Sequence, residues 1–337
     1  MATILVTGSS GFIGFHLCQK LLNLGHNVIG IDNLSEYYDV QLKIHRQSIL
    51  TKLDNFKVIN KCIESPGVVK DIFAIEKPNI VIHLAAQAGV RYSIDNPRTY
   101  LETNIVGTFE ILEAARSHPP QHLMLASTSS VYGSNKDMPY KEYTQTDHQM
   151  SFYSATKKAS ESMAHSYSHL YGMPITMLRF FTVYGPWGRP DMALFKFTKA
   201  IFSGEPIDIY NYGNMKRDFT YITDIVDSIS LLLGIAPEPP CKSEVLKKDS
   251  TSPVAPFRTV NIGNSFPIKL SEFIDALELA TGKTAVKNLM PMQDGDVSDT
   301  WADTSILETL TGYAPKTDIQ EGIKLFVEWY KKYYNIF

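Results

Sequence analysis

Tyr153 and Lys157 stand four residues apart in Ser151-Phe152-Tyr153-Ser154-Ala155-Thr156-Lys157, far downstream of a glycine turn, Gly8-Ser9-Ser10-Gly11-Phe12-Ile13-Gly14. On a helix, residues i and i+4 share a face, so the Lys157 ammonium can sit beside the Tyr153 phenol and favour its phenolate. That makes the phenol a base usable near neutral pH. The glycine turn suits a dinucleotide pyrophosphate. Gly8 permits the tight turn, Gly11 lets the backbone approach the phosphates, and Gly14 lets helix and strand pack, while Phe12 and Ile13 open the helix whose N-terminus meets the charge. Asp32 ends the next apolar run, Val28-Ile29-Gly30-Ile31, where its carboxylate can accept both adenosine ribose hydroxyls and would repel a 2′-phosphate. NAD is therefore expected rather than NADP. Each feature has a plainer reading as well: two exposed residues on a helix face, and an Asp that caps a loop. A tyrosine base and a dinucleotide turn in one chain describe a redox enzyme.

Further cofactor contacts are expected along the same route. Asn33 and Ile63 lie near the ends of the second and third strands, and Leu84-Ala85-Ala86 follows the fourth, offering small residues where a cofactor can lie against the backbone. Asn104 sits in the helix after that strand. Leu84 to Ala86 and Asn104 also have a merely structural reading.

Composition limits the alternatives. At 337 residues, 44% hydrophobic and 20% charged, the chain is long enough for two lobes around a large core. A net charge of −3 supplies no broad basic face to neutralise a phosphate backbone, so nucleic acid is not expected as a partner. Cys18, Cys62 and Cys241 are odd in number and widely spaced, which speaks against a disulfide framework or a zinc site and suits a reducing cytosol. The apolar strand beginning at Thr3 follows Met1 directly, without a basic stretch or cleavage-like site, and the apolar run around 229–236 is too short for a bilayer, so neither secretion nor a membrane span is expected. His165 and His169 have i, i+4 spacing but no evident third ligand, so no metal is expected.

Strand-like runs at 4–6, 28–31, 57–59, 80–84, 123–126 and 175–178 alternate with helical patterns, including 99–115 and 154–170. This predicts an α/β fold, a doubly wound parallel Rossmann sheet. After Tyr184-Gly185-Pro186-Trp187-Gly188-Arg189-Pro190 the pattern changes to a helix over 192–203, a short strand over 206–210 and mixed elements beyond. The division expected is a cofactor domain over 1–185, with 220–235 and 257–263 packing back onto it, and a smaller mixed α/β substrate lobe over 186–337. The proline-, lysine- and serine-rich stretch 236–256 reads as an exposed loop. Phe326, Trp329, Tyr330, Tyr333 and Tyr334 have helical spacing and read as core or subunit contact.

These segments, with Ala126-Ser127-Thr128-Ser129-Ser130-Val131-Tyr132-Gly133 and Arg217-Asp218-Phe219-Thr220-Tyr221, resemble the extended short-chain dehydrogenases that act on nucleotide sugars, over nearly the whole chain. The Gly-x-x-Gly-x-x-Gly spacing is typical of that group. Within it, 86–93 and 178–192 are similar to the 4-epimerases of UDP-glucuronate. The resemblance implies that Tyr153 takes the proton of the sugar 4-hydroxyl while hydride leaves carbon 4 for NAD⁺, that Thr128 bonds the same oxygen, and that Lys157 holds the nicotinamide ribose and is the main influence lowering the phenol pKa. The keto sugar then turns over and hydride returns to its opposite face.

Dehydratase relatives carry an Asp-Glu pair where Ser129-Ser130 stands, and decarboxylating relatives carry a glutamate there, so this chain retains redox chemistry without a second acid or base. Ser129, Ser130 and Thr182 with Arg189 are expected to hold the substrate carboxylate, and Gln87 to line the sugar site. Arg189 also reads as a loop ion pair. The resemblance further implies that Arg217 contacts the diphosphate, leaned on more because Gln293 replaces an arginine of neutral-sugar epimerases, and that Asp296 holds the uridine ribose. Tyr210 reads either as a platform for uracil or as core. Where relatives carry an acidic residue near adenine, this chain has Cys62, with Glu64 close by. A UDP-sugar partner, a homodimer through the helices over 99–115 and 154–170, and a role in making an acidic sugar for polysaccharide are expected. Neutral UDP-hexoses or UDP-N-acetylhexosamines as substrates, or NAD sensing without turnover, remain the alternatives.

Overall fold

The computed structural model describes residues 1–239, 249–293 and 297–336. Its strands are β1 (Thr3–Thr7), β2 (Asn27–Asp32), β3 (Phe56–Asn60), β4 (Ile80–His83), β5 (His122–Thr128), β6 (Ile175–Phe180), β7 (Thr182–Tyr184), β8 (Pro206–Ile209), β9 (Lys216–Tyr221), β10 (Phe257–Ile262), β11 (Pro267–Lys269), β12 (Val286–Leu289) and β13 (Asp299–Thr300). In the first half the helices are α1 (Phe12–Asn23), α2 (Val40–Leu50), α3 (Val68–Glu76), α4 (Tyr92–Asp95), α5 (Pro97–Tyr100), α6 (Gly107–Ser117) and α7 (Phe152–Tyr171). Then come α8 (Ala193–Ser203), α9 (Ile222–Leu232), α10 (Leu270–Thr281), α11 (Ser305–Thr311) and α12 (Ile319–Tyr334).

The doubly wound parallel sheet expected from the strand–helix alternation is present. Its order is β10-β6-β5-β4-β1-β2-β3, with every neighbouring pair parallel. Because helices cover both faces, β1 is an unbroken apolar run, with Ile4, Leu5 and Val6 fully buried. β1 pairs on one side with β2 and on the other with β4, which makes the carboxyl end of β1 the topological switch point where ligands bind in such sheets. The seventh strand, β10, comes from far along the chain and lies beside β6. A second, smaller sheet joins β7, β9, β11 and β13, and β8 pairs with β12. Among the described residues no helix is long and apolar enough to cross a membrane.

Two expectations need correction. The helix expected over 99–115 is interrupted: α5 ends at Tyr100, a wide π-helical turn runs over Leu101–Val106, and α6 starts at Gly107. Such a turn inserts a residue into the helical register, and here it brings Asn104 against the end of β4. The stretch 236–256 lies outside the described residues at 240–248, and its later part is not simply exposed. Asp249 pairs with Arg258 at 2.7 Å, Ala255 is buried, and His165 and His169 bond Ser252 at 2.9 Å and the Val254 carbonyl at 2.8 Å. Those two histidines thus serve loop packing.

Two further histidines lie inside the sheet region. His83 bridges the hydroxyls of Thr7 and Thr108 at 2.8 and 3.1 Å, and His122 lies between the Thr176 hydroxyl at 2.8 Å and the Leu233 carbonyl at 3.2 Å. Burial pushes their pKa values down to about 3 and about 4, from 6.5. Both therefore bind protons more weakly folded than unfolded. The stability they contribute is complete above pH 6.5 and is lost as pH falls toward those lower values, by about 2 kcal/mol each at pH 5. Melting curves at pH 7.5 and 5.0 should show a fall in Tm that is smaller in His122→Gln. An undiminished fall in that variant would assign the acid lability to other groups.

Candidate active site

The turn between β1 and α1 is bare backbone. Gly8 has a φ of +72°, and a Cβ there would stand 2.9 Å from the Ala85 nitrogen. A Cβ on Gly14 would stand 2.1 Å from the Gly8 carbonyl oxygen. No side chain caps α1, so the first N–H groups of the helix, those at Phe12 and Ile13, remain for an anion. This cradle fits a dinucleotide pyrophosphate. Asp32, at the end of β2, spreads its two oxygens to the Ser10 N–H at 2.9 Å and the Leu34 N–H at 2.8 Å, which fixes the carboxylate at the rim.

A cleft of about 1040 Å³ opens from this turn across the carboxyl ends of β1, β4 and β5 to β8 and β9. Asp32, Asn33, Ile63 and Glu64 line one end, and Leu84, Ala85, Ala86 and Gln87 the floor. Cys62 receives a long contact from Asn33 Nδ2 at 3.6 Å.

Tyr153 and Lys157 face this cleft from α7. The helix starts where it does because Ser151 and Ser154 form a reciprocal cap: the Ser154 N–H donates to Ser151 Oγ at 3.1 Å and the Ser151 N–H to Ser154 Oγ at 3.2 Å. Tyr153 therefore sits in the first turn, where the helix dipole favours an anion. Burial pushes its phenol pKa up, and the Thr128 hydroxyl and the Arg189 charge draw it back down. Lys157, expected as the main downward influence, is not what opposes burial in this structure. It is itself buried, and desolvation brings its ammonium down to about 8, with Glu161 one turn further along α7 resisting. Glu161 is held by both forks of Arg179, at 2.9 Å each, and by Ser127 Oγ at 2.6 Å.

Thr128 ends β5 and Ser129 begins the turn after it, with the Ser130 N–H donating to Thr128 Oγ1 at 3.2 Å. All three line the cleft, as does Thr182 on β7. Arg189 enters from the loop after β7, where its guanidinium grips Asp191, Nε to Oδ1 at 3.0 Å. The Tyr37 hydroxyl also donates to Asp191, at 3.0 Å. Burial opposes charge on both members of the pair, yet mutual attraction holds Asp191 below the usual carboxylate range. At the far end, Arg217 donates to the carbonyls of Ser298 at 2.7 Å and Val297 at 2.5 Å, and the Arg91 guanidinium lies 4.9 Å from the centre of the Tyr210 ring. Tyr210 is half-buried at the cleft wall rather than core. Asp296 lies outside the described residues.

Asn104 is the departure. Its amide bonds the Gln87 N–H at 2.8 Å, the Gln87 carbonyl at 3.0 Å and Thr156 Oγ1 at 3.0 Å, so its side chain ties β4 to α7 instead of facing a cofactor. Sequence reasoning missed Tyr37, Lys43, Asp191 and Glu161. The signal for Glu161 was its position one helical turn after Lys157; Tyr37 and Lys43 carried none, because they meet the cleft only when α2 folds across it. Among the described residues no cluster of three or more His, Cys, Asp or Glu can hold a metal ion.

A model of the NAD dependent epimerase/dehydratase family matches residues 4–239. A probable UDP-glucuronate 4-epimerase of Rhizobium meliloti (strain 1021) is 49% identical over 332 residues, 98% of this chain and 97% of that protein. The protein CapI of Staphylococcus aureus is 50% identical over the same share of this chain and 99% of its own. A crystal structure of UDP-glucuronic acid 4-epimerase from Bacillus cereus, in complex with UDP-glucuronic acid and NAD, superposes with a TM-score of 0.88 at 33% identity, covering 98% of this chain and 100% of that one.

The glycine cradle is directly testable. Gly14→Ala should push the turn and α1 apart and reduce dinucleotide retention at least tenfold, read as bound dinucleotide per purified chain, with a fall in Tm. Full retention would mean that the cradle does not hold the pyrophosphate.

Proposed function

Because the chain belongs to the NAD dependent epimerase/dehydratase family, we propose that it inverts carbon 4 of UDP-glucuronate, interconverting it with UDP-galacturonate through a transient 4-keto sugar and using NAD as its cofactor. The observation that carries this reading is that Thr128, Tyr153 and Lys157 share one cleft with the guanidinium of Arg189. The sheet lobe, chiefly 1–185 with 220–235 and 257–263, holds the dinucleotide. Gly8 to Gly14 meet its pyrophosphate, Asp32, Asn33 and Ile63 its adenosine, and Leu84 to Ala86 with Lys157 its nicotinamide end. The remainder, chiefly 186–337, holds the nucleotide sugar, with Arg217 at the diphosphate and Tyr210 at the uracil.

Bound NAD⁺ supplies the hydride acceptor for carbon 4 and then the donor that restores it. Tyr153 Oη takes the proton of the 4-hydroxyl and gives it back after the sugar has turned over. The Thr128 hydroxyl bonds the same oxygen and steadies it in both orientations. The keto sugar is a β-keto acid, which loses CO₂ when its carboxylate bond lies parallel to the carbonyl π system. Ser129, Ser130, Thr182 and Arg189 hold the carboxylate away from that alignment with charge-assisted hydrogen bonds.

One observation favours a second reading, a 4-epimerase of neutral UDP-hexoses. Arg189 already has a carboxylate partner in Asp191, so the cleft is not electrostatically incomplete without an acid sugar.

Exposed apolar side chains on adjacent helices, among them Phe109, Phe152 and Leu170, support a homodimer through α6 and α7. A cytosolic location with neither membrane nor nucleic-acid partner fits the composition, and the acid-sugar product suits a supply to polysaccharide synthesis.

Purified protein given UDP-glucuronate without added NAD should form the galacto isomer by proton NMR with no net NADH. Deuterium at carbon 4 should be retained, and Tyr153→Phe should slow turnover at least about a hundredfold. Deuterium lost to solvent, or full turnover without the phenol, would sink the mechanism. Arg189→Ala should weaken UDP-glucuronate binding about tenfold or more and release UDP-pentose, leaving UDP-glucose binding unchanged. Faster turnover of UDP-glucose than of UDP-glucuronate by the unaltered protein would select the second reading.

A further inference from the structure

The loop that delivers Arg189 is gripped by its backbone. Three consecutive carbonyls, those of Pro186, Trp187 and Gly188, are each taken by a side chain from the opening helices of the sheet lobe. His16 on α1 donates from Nε2 to the Pro186 oxygen at 2.9 Å. Arg46 on α2 donates from Nη2 to the Trp187 oxygen at 2.5 Å and the Gly188 oxygen at 3.3 Å. The other fork of Arg46, Nη1, donates to the Ser10 carbonyl at 3.1 Å and the Tyr38 hydroxyl at 3.0 Å. Arg46 is fully buried. A single guanidinium therefore spans the glycine turn and the loop ending in Arg189.

The loop needs that grip. Trp187 adopts a φ of +61°, a left-handed conformation unfavourable for a bulky residue, and its indole is wedged between Phe15, Trp329 and Tyr333 with ring centres 5.2 to 5.5 Å away. Burial keeps the His16 imidazole neutral well below pH 7, its pKa lowered to about 4, so it can act as a single N–H donor. Only a planar, permanently charged fork can bond two successive carbonyls with one nitrogen and a third carbonyl with the other; an ammonium is a point donor.

We propose that Arg46, assisted by His16, is a positioning residue that sets where Arg189 stands in the cleft, and that it thereby governs selection of an acid over a neutral nucleotide sugar. This rests on the reading of Arg189 as the carboxylate partner. Arg46 does not line the cleft; it acts through the carbonyls at 187 and 188, next in sequence to Arg189.

The test is equilibrium binding of UDP-glucuronate and UDP-glucose, together with UDP-pentose released per turnover, in preparations matched for bound NAD. Arg46→Lys keeps the charge and loses the fork. Its preference for UDP-glucuronate should fall about tenfold, UDP-pentose release should rise, and UDP-glucose affinity should hold. Combined with Arg189→Ala, it should cost no further preference, because both changes act on one contact. If Arg46→Lys does not fold, His16→Phe keeps the ring and releases the Pro186 carbonyl, and a smaller loss of the same kind is expected. Equal weakening for both sugars, or independent losses in the double variant, would reduce Arg46 to general packing and overturn the proposal. An unaltered protein that binds both sugars equally would refute the acid-sugar reading itself, and the proposal with it.

Discussion

Desolvation of Tyr153 and Lys157 is the constraint around which the cleft is arranged. Burial pushes the phenol up and the ammonium down, so each drifts toward the neutral form that is useless to the other. For Lys157 the displacement from 10.5 to about 8 corresponds to roughly 3 kcal/mol of opposition to its charge. The ammonium still predominates near pH 7, with little margin. Glu161 preserves that margin, and it can stay ionised in the interior because Arg179 and Ser127 bond it from β6 and β5. The charge that helps hold Lys157 is thus itself held by the sheet. The phenol is treated differently, through the N-terminus of α7, the Thr128 hydroxyl and Arg189. Two of these three reach it from other elements, so the phenol's acidity is set by the assembled fold and not by the Tyr-x-x-x-Lys spacing alone.

That difference explains what was legible in the chain and what was not. Parallel strands buried on both faces leave unbroken apolar runs, so β1, β2, β4, β5 and β6 could be read directly, and the glycine turn marked the carboxyl end of β1. β10 was harder because a parallel strand can be supplied from any point along the chain, and only pairing with β6 assigns its place. The wide turn at 101–106 left no mark in the apolar periodicity, since its cause is tertiary: the amide of Asn104 satisfies both backbone groups of Gln87 where β4 has ended. A polar residue in a helix near a cofactor motif looks like a ligand contact. Here it closes a hydrogen-bond deficit that the strand end creates. Lys157 differs for a related reason: spacing places a cation near the phenol but says nothing of how much water surrounds either.

Arg46 belongs to the same class of hidden residue. From sequence it is one of several basic residues on α2, with nothing to separate it from a solvated lysine. In the fold it is fully buried and bonded to the turn after β1, to Tyr38 and to the loop after β7. A buried guanidinium is tolerated only where acceptors are already in place. Three carbonyls and the Tyr38 hydroxyl do that work here for its two terminal nitrogens.

The pairing of Arg189 with Asp191 follows from the same logic of desolvated charge. An arginine left alone in a partly dry cleft would be costly and would attract any passing anion. With Asp191 bonded through Nε and Nη2, and the Tyr37 hydroxyl on the same carboxylate, the guanidinium is fixed in plane and direction before ligand arrives. Nη1 is the nitrogen these two bonds do not use. A substrate carboxylate meeting it would join an existing ion pair, which limits the gain from simple attraction and puts the weight on geometry. Geometry is also what the chemistry demands, because a β-keto acid keeps its carboxylate only while that group is held out of alignment with the neighbouring carbonyl. A strongly attracting but loosely placed cation would bind the acid sugar and still let it lose CO₂. A restrained one, seated on a loop whose carbonyls are themselves tied down, would bind less greedily and would protect the intermediate.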